Sequence, residues 1–282
     1  MRSAVTNHVG LFEQQLHDIT RLIEPKLDEL LPQDGRLAEA MRYAVLGNAK
    51  RFRPFLVLES AELFGVSKTS ALNAAAAIEC LHCYSLVHDD LPAMDDDDMR
   101  RGKPTVHKVF GEATAILAGD ALLTLAFEIL ANPGTHPDAN IRAVLSLGLA
   151  RAAGHAGMAG GQQLDMETAI DVEKISALKT GELIRFSVLC GAILGNASAD
   201  EKLALARYGE QLGLAFQVSD DVLDAGKDAA IGKRTFVTTL GIIGARERLD
   251  SAVRGAIHAL ECFGERAEAL NEAAEFMRQR VE

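Results

Sequence analysis

The sequence predicts an all-α fold, a large single-domain helical bundle whose central apolar helices surround a deep cavity. Three observations predict it. From Leu11 onward apolar residues recur at helical spacing, in long stretches rich in Ala, Leu, Glu and Arg. Strand signals are nearly absent. The segments 74–87 and 116–130 are apolar around most of their circumference, as buried central helices of a bundle are.

The elements follow in order. The first helix is expected over about 5–31, stopped by Pro32, and the second over about 36–48. A turn, Gly47-Asn48-Ala49-Lys50-Arg51-Phe52-Arg53-Pro54, then carries three cations. Helices over about 53–64 and 69–90 come next, closed by Gly65 and by Pro92, which biases Leu91 out of the helical region. Beyond Pro104 a helix over about 112–131 ends at Asn132-Pro133, and others are expected over about 138–157, 171–194, 200–225 and 240–278.

Composition limits the function. Of 282 residues 48% are hydrophobic and 24% charged, with 7 Pro and 24 Gly, which leaves no room for a Pro/Gly-rich linker. One domain spanning 1–282 is expected. Twenty-nine basic against 40 acidic residues give a net charge of −11, a field that repels nucleic acid, so no nucleic-acid partner is expected. The N-terminal residues lack the apolar core of a signal peptide, and no run of about 18 uncharged apolar residues follows, so a cytoplasmic protein without a membrane span is expected. The 4 cysteines make no disulfide framework, and Cys80-Leu81-His82-Cys83 has no second ligand pair, which makes them small residues packed inside a helix.

The chemistry lies in two carboxylate clusters. His88-Asp89-Asp90-Leu91-Pro92-Ala93-Met94-Asp95-Asp96-Asp97-Asp98 ends one apolar helix, and Gln217-Val218-Ser219-Asp220-Asp221-Val222-Leu223-Asp224 ends another. Gln217, Asp220, Asp221 and Asp224 recur at i, i+3, i+4 and i+7 and share one helical face. Anions are disfavoured at a helix C-terminus, and adjacent carboxylates repel, so a hard divalent cation is the natural compensation. A solvated acidic face is the alternative for either cluster taken alone. Without an EF-hand loop, sparse Asp clusters with basic residues close behind suit magnesium bound together with substrate phosphates. The basic residues are Lys50, Arg51 and Arg53; Arg100, Arg101 and Lys103; Lys179; Lys227; and Lys233-Arg234. The implied substrate is a diphosphate.

These residues resemble the trans-prenyltransferase family, that of farnesyl and geranylgeranyl diphosphate synthases, and the match runs from Lys50 through Thr235. DDLPAMDDDDMRRGKPTVH, beginning at Asp89, resembles the first aspartate-rich motif in its DDxxxxD form, and QVSDDVLD, ending at Asp224, resembles the second. The resemblance implies a fold of the isoprenoid synthase type and a homodimer. It also implies that Asp89, Asp90, Asp95, Asp220 and Asp224 hold three magnesium ions on an allylic diphosphate. Arg100, Lys179, Thr180, Gln217, Lys227 and Lys233 would cradle that diphosphate, and Lys50, Arg53, His82 and Arg101 match the pocket for isopentenyl diphosphate. Two departures stand out. Asn48-Ala49 replaces the usual Gly-Gly before Lys50, and the stretch after Asp224 is shorter than the usual loop, which bears on Lys227 and Lys233.

The floor of the product channel is expected one turn before Asp89. Helical spacing points to Ser85, four positions upstream on the same face; Tyr84, on the neighbouring face, enters by resemblance, as a bulky ring there resembles farnesyl-length control. The implied activity is condensation of isopentenyl diphosphate with dimethylallyl or geranyl diphosphate to a short trans-prenyl diphosphate, farnesyl diphosphate first. Geranylgeranyl diphosphate is the alternative product. A class I terpene cyclase needs one diphosphate site, against which Lys50, Arg53 and Arg101 argue, and a non-catalytic partner subunit typically lacks aspartates that this chain keeps.

Overall fold

The computed structural model describes residues 2–167, 171–226 and 234–281, with backbone alone for 2–9 and 11. It is all-α. The helices are α1 (Arg2–Leu30), α2 (Arg36–Val45), α3 (Phe52–Glu62), α4 (Lys68–Asp89), α5 (Val106–Phe110), α6 (Glu112–Ala131), α7 (Ala139–Ala153), α8 (Met158–Asp165), α9 (Val172–Ile175), α10 (Glu182–Leu194), α11 (Ala199–Leu223), α12 (Phe236–Ala259) and α13 (Glu268–Gln279). The described strands are two-residue pieces, β1 (Met99–Arg100) and β2 (Lys103–Pro104), paired antiparallel with Arg100 opposite Lys103.

The backbone falls into two compact units. One holds Gln15–Leu58 and Ser67–Ser146; the other holds Met1–Gln14, Glu59–Val66 and Leu147–Glu282. In the first, α4 packs mainly against α6, with α2 beside both. Ser67 caps α4, its side chain accepting from the Ser70 N–H, and the Ala-rich run that follows is buried from Ala74 through Leu81. Cys80 and Cys83 are buried free thiols on that helix, as packing residues are. Among the described residues α6 is the one helix long and apolar enough to cross a membrane by length and composition; less than half of that stretch is buried, and Ile116 and Leu117 are exposed.

In the second unit α11 lies between α10 and α12, with α13 alongside. Ser198 and Glu201 close a capping box at its N-terminus, and its apolar face buries Leu205, Tyr208, Leu212, Ala215 and Val218. The Tyr208 hydroxyl donates to the Leu270 carbonyl at 2.6 Å, fastening α11 to α13.

Four sequence expectations need correction. The single helix over 138–157 stops at Ala153, and the glycine-rich stretch after it forms the extra helix α8. The helix over 171–194 is interrupted by a π-turn, Ser176–Gly181. The last expected helix begins earlier and breaks at Gly241 (φ 73°), and again at Gly264 (φ 58°) inside a 3-10 segment, Glu261–Ala267. Both glycines sit in left-handed or mirror-β backbone that other residues resist. The hairpin and α5 were also unexpected, because elements this short leave too little periodicity to detect.

Candidate active site

The first cluster is built where α4 runs out. Asp89 is its last residue and is half-buried, Asp90 caps it and is 3% exposed, and Asp95 is exposed in the following turn. The Asp95 N–H donates to the Asp89 carbonyl at 2.8 Å, so the turn folds Asp95 back over the helix end. Asp90 is committed to Arg100, whose Nε donates to Oδ1 at 2.8 Å; Arg100 Nη2 also meets Asp97 Oδ2 at 2.9 Å. Burial raises the Asp90 pKa above the ordinary carboxylate value, and Arg100 works against that rise.

Arg100 is placed by the hairpin. Arg101 (φ 54°) and Gly102 (φ 79°) form a two-residue turn of positive φ, the kind whose twist suits a tight hairpin. Thr105 fastens the far end, its hydroxyl donating to the Asp97 carbonyl at 2.9 Å and its N–H to the Asp98 carbonyl at 3.0 Å. Asp96, Asp98 and His107 bring a further ligand group within 4.8 Å of one another, though Asp98 is also bridged by Lys108 at 2.6 Å.

The cationic turn leads into the first part of α3, residues 52–58, which lies in the same unit. Lys50 is exposed, whereas Arg53 Nη1 lies 3.2 Å from His82 Nε2 on α4. Burial, reinforced by Arg53, pushes the His82 pKa well below its usual value, so the ring is neutral; Nε2 accepts from Arg53 and leaves Nδ1 to carry the proton. Of the two floor candidates, Ser85 donates to the His82 carbonyl at 2.8 Å, and the Tyr84 ring stands edge-on to His88 at 5.6 Å.

The second cluster sorts itself in the same way. Asp221 is 4% exposed and structural: it accepts the Phe236 N–H that opens α12 at 2.8 Å and the Gln217 amide at 2.9 Å. Gln217 in turn accepts from the Thr180 hydroxyl at 3.0 Å. Asp220 and Asp224 are more open, and Asp224 ends α11 with its N–H on the Asp220 carbonyl at 2.9 Å. Lys179 meets Asp165 of α8 at 2.6 Å. Lys227 and Lys233 lie outside the described residues.

Two glycines let helices close on the π-turn that carries Lys179 and Thr180. A Cβ at Gly161 would lie 2.2 Å from the Lys179 nitrogen, and one at Gly213 would lie 2.8 Å from the Gly181 Cα. Such bulges recur at functional sites.

Sequence reasoning missed three participants. Arg280, near the end of the chain, bridges Asp220 at 2.8 Å, donates to the Phe216 carbonyl at 3.0 Å and stacks on the Phe216 ring at 5.0 Å. Asp165, the partner of Lys179, likewise carries no local signal. Glu79 does: a lone carboxylate in an apolar, buried helix requires a cation, and Arg51 supplies it at 2.5 Å.

The chain is similar to known proteins over nearly its whole length. The polyprenyl synthetase family matches residues 34–239. The chain is 42% identical over 296 residues to a farnesyl diphosphate synthase of Escherichia coli (strain K12), covering 95% of this chain and 99% of that protein. It is 42% identical over 258 residues to a farnesyl diphosphate synthase of Geobacillus stearothermophilus, covering 84% and 87%. Among solved structures, the apo form of an FPP/GFPP synthase from Zymomonas mobilis is similar with a TM-score of 0.86 and 43% identity, covering 96% of this chain and 99% of that one.

Proposed function

The chain belongs to the polyprenyl synthetase family, and on that premise we propose that it is a magnesium-dependent short-chain prenyltransferase. It condenses isopentenyl diphosphate with dimethylallyl or geranyl diphosphate, and its main product is farnesyl diphosphate. The observation that carries this reading is the division of labour inside each acidic motif. One aspartate is buried on a protein partner, Asp90 on Arg100 and Asp221 on Gln217 and Phe236, while its neighbours stay more open.

The less buried donors are carboxylate oxygens at or just beyond helix C-termini, with Asp220 also meeting Arg280, a hard anionic set that suits magnesium completed by substrate phosphate oxygens. Asp89, Asp90, Asp95, Asp220 and Asp224 would hold the metal, with three ions expected. Bound magnesium supplies positive charge against the departing diphosphate. Arg100, Lys179, Thr180, Gln217, Lys227 and Lys233 hold the allylic diphosphate, and Lys50, Arg53, His82 and Arg101 hold isopentenyl diphosphate.

The protein supplies electrostatics and shelter rather than a nucleophile. Breaking the allylic C–O bond leaves a carbocation that water would quench, and apolar residues of α4 shield it. The isopentenyl double bond attacks, a C–C bond forms, and the proton that is lost goes to the released pyrophosphate. Tyr84 and Ser85 limit how far the product grows.

The protein acts in the cytoplasm as a single catalytic domain and as a homodimer. Support for the dimer is the exposure of large apolar side chains, Ile116 44% and Leu117 56% on α6 and Val144 49% on α7. The deciding experiment incubates purified protein and magnesium with dimethylallyl diphosphate alone, then with isopentenyl diphosphate added, and weighs the products. A fifteen-carbon diphosphate that forms only with both substrates is expected. Twenty carbons would make it a geranylgeranyl synthase, and turnover of the allylic substrate alone would favour a terpene cyclase.

A further inference from the structure

Glu79 is 2% exposed, yet one of its oxygens serves two arginines. Its Oε1 takes Arg51 Nη1 at 2.5 Å and lies 3.9 Å from Arg101 Nη2. Arg51 is itself 2% exposed and spends the rest of its fork on Glu24, with Nε at 2.8 Å, and on the Val45 carbonyl at 2.6 Å. Burial works against the Arg51 charge, but Glu79 and Glu24 outweigh it and hold the pKa above the ordinary value. No surface of Arg51 is left for a substrate.

Both arginines have left-handed backbone, Arg51 at φ 51° and Arg101 at φ 54°. Residues with a Cβ rarely adopt that conformation and keep it only where surrounding contacts over-determine it. Here the shared contact is the Glu79 carboxylate. The arrangement is ladder-like: Arg51 reaches Glu79, and Arg53, two residues on, reaches His82, three residues on along the same face of α4. Lys50 precedes the first rung, and Arg100, the partner of Asp90, precedes Arg101.

We propose that Arg51 and Glu79 are positioning residues that hold Lys50, Arg53 and Arg101 as one preorganised subsite for the diphosphate of the isopentenyl substrate. This rests on the prenyltransferase reading above. Loosening the ladder should therefore weaken capture of that substrate and spare the other.

The test is steady-state kinetics on Arg51→Lys, Glu79→Gln and the double variant Arg51→Met/Glu79→Met, varying each substrate in turn, with thermal melting beside it. The double variant removes both buried charges together, so neither is left facing an unpaired opposite within the pair, and Glu24, which loses Arg51, keeps access to water. In all three, KM for isopentenyl diphosphate should rise about tenfold or more, with kcat and the allylic KM within about twofold of wild type. If the single variants do not fold, the double variant decides. A double variant that melts like wild type and has wild-type KM would mean that the pair is merely structural, which overturns the proposal. Active wild type with unchanged KM in the variants overturns it alone; wild type that needs no isopentenyl diphosphate overturns the reading beneath it.

Discussion

Asp90 and Arg100 are locked to one another, Nε to Oδ1 at 2.8 Å, with the carboxylate 3% exposed, whereas the preceding residue, Asp89, is half-buried at the helix end. Adjacent aspartates in one motif therefore have different work. Asp90 holds the hairpin and its arginine, while Asp89 is half-buried and Asp95 exposed.

Asp89→Asn and Asp95→Asn should each raise the magnesium concentration needed for half-maximal activity by about tenfold or more, the effect of removing an anionic ligand. Asp90→Asn should raise the magnesium requirement less than the other two and in addition lower stability by about 1–2 kcal/mol, because Arg100 loses its charge-assisted partner. Magnesium titrations and thermal melts on the three variants decide it. Equal magnesium dependence in all three would contradict the division.

Tyr84→Ala should lengthen the product. The ring stands against His88 one turn before the motif, and truncation removes the bulk that the growing chain would meet. Mass spectrometry of products from purified variant and wild type is the check, and an unchanged product distribution would count against Tyr84 as the floor.

Gly161→Ala should lower both activity and stability, since the new Cβ would lie 2.2 Å from the Lys179 nitrogen and backbone cannot step aside as a side-chain tip can. A cost of about 1–3 kcal/mol is expected from overpacking. Activity should fall further than the loss of folded protein explains, because the turn carrying Lys179 and Thr180 moves. Circular dichroism alongside kinetics separates the two effects.

Glu59 gives the stability a pH dependence unrelated to catalysis. Burial first, then the Glu62 and Glu272 carboxylates, push its pKa up from 4.5 to about 7. Between those values the folded state binds more protons than the unfolded one, so this group's contribution to stability falls as pH rises through that window. Glu59→Gln should melt later than wild type at pH 8, by an amount equivalent to about 1 kcal/mol after solvent screening, and the gap should close below pH 4.5. Parallel melts at the two pH values test the sign.

The chain's local pattern was enough for its helical character, for the two acidic helix ends and for Arg100 beside the first of them. Periodicity, Pro92 and the bunching of aspartates act over a few residues, and neighbours along a helix need no other part of the chain to come together. How deeply each carboxylate is buried was not readable, because Asp89 differs from Asp90, and Asp220 from Asp221, through what the rest of the fold puts beside them. Arg280 reaches Asp220 from the far end of the chain, and Asp165 reaches Lys179 across fourteen residues. The π-turn interrupts a sequence that reads as unbroken helix, and its backbone packs so close to Gly161 and Gly213 that a Cβ at either would clash. These pairings reflect the cost of burying charge and of closely packed backbone, terms that exist only once distant segments meet.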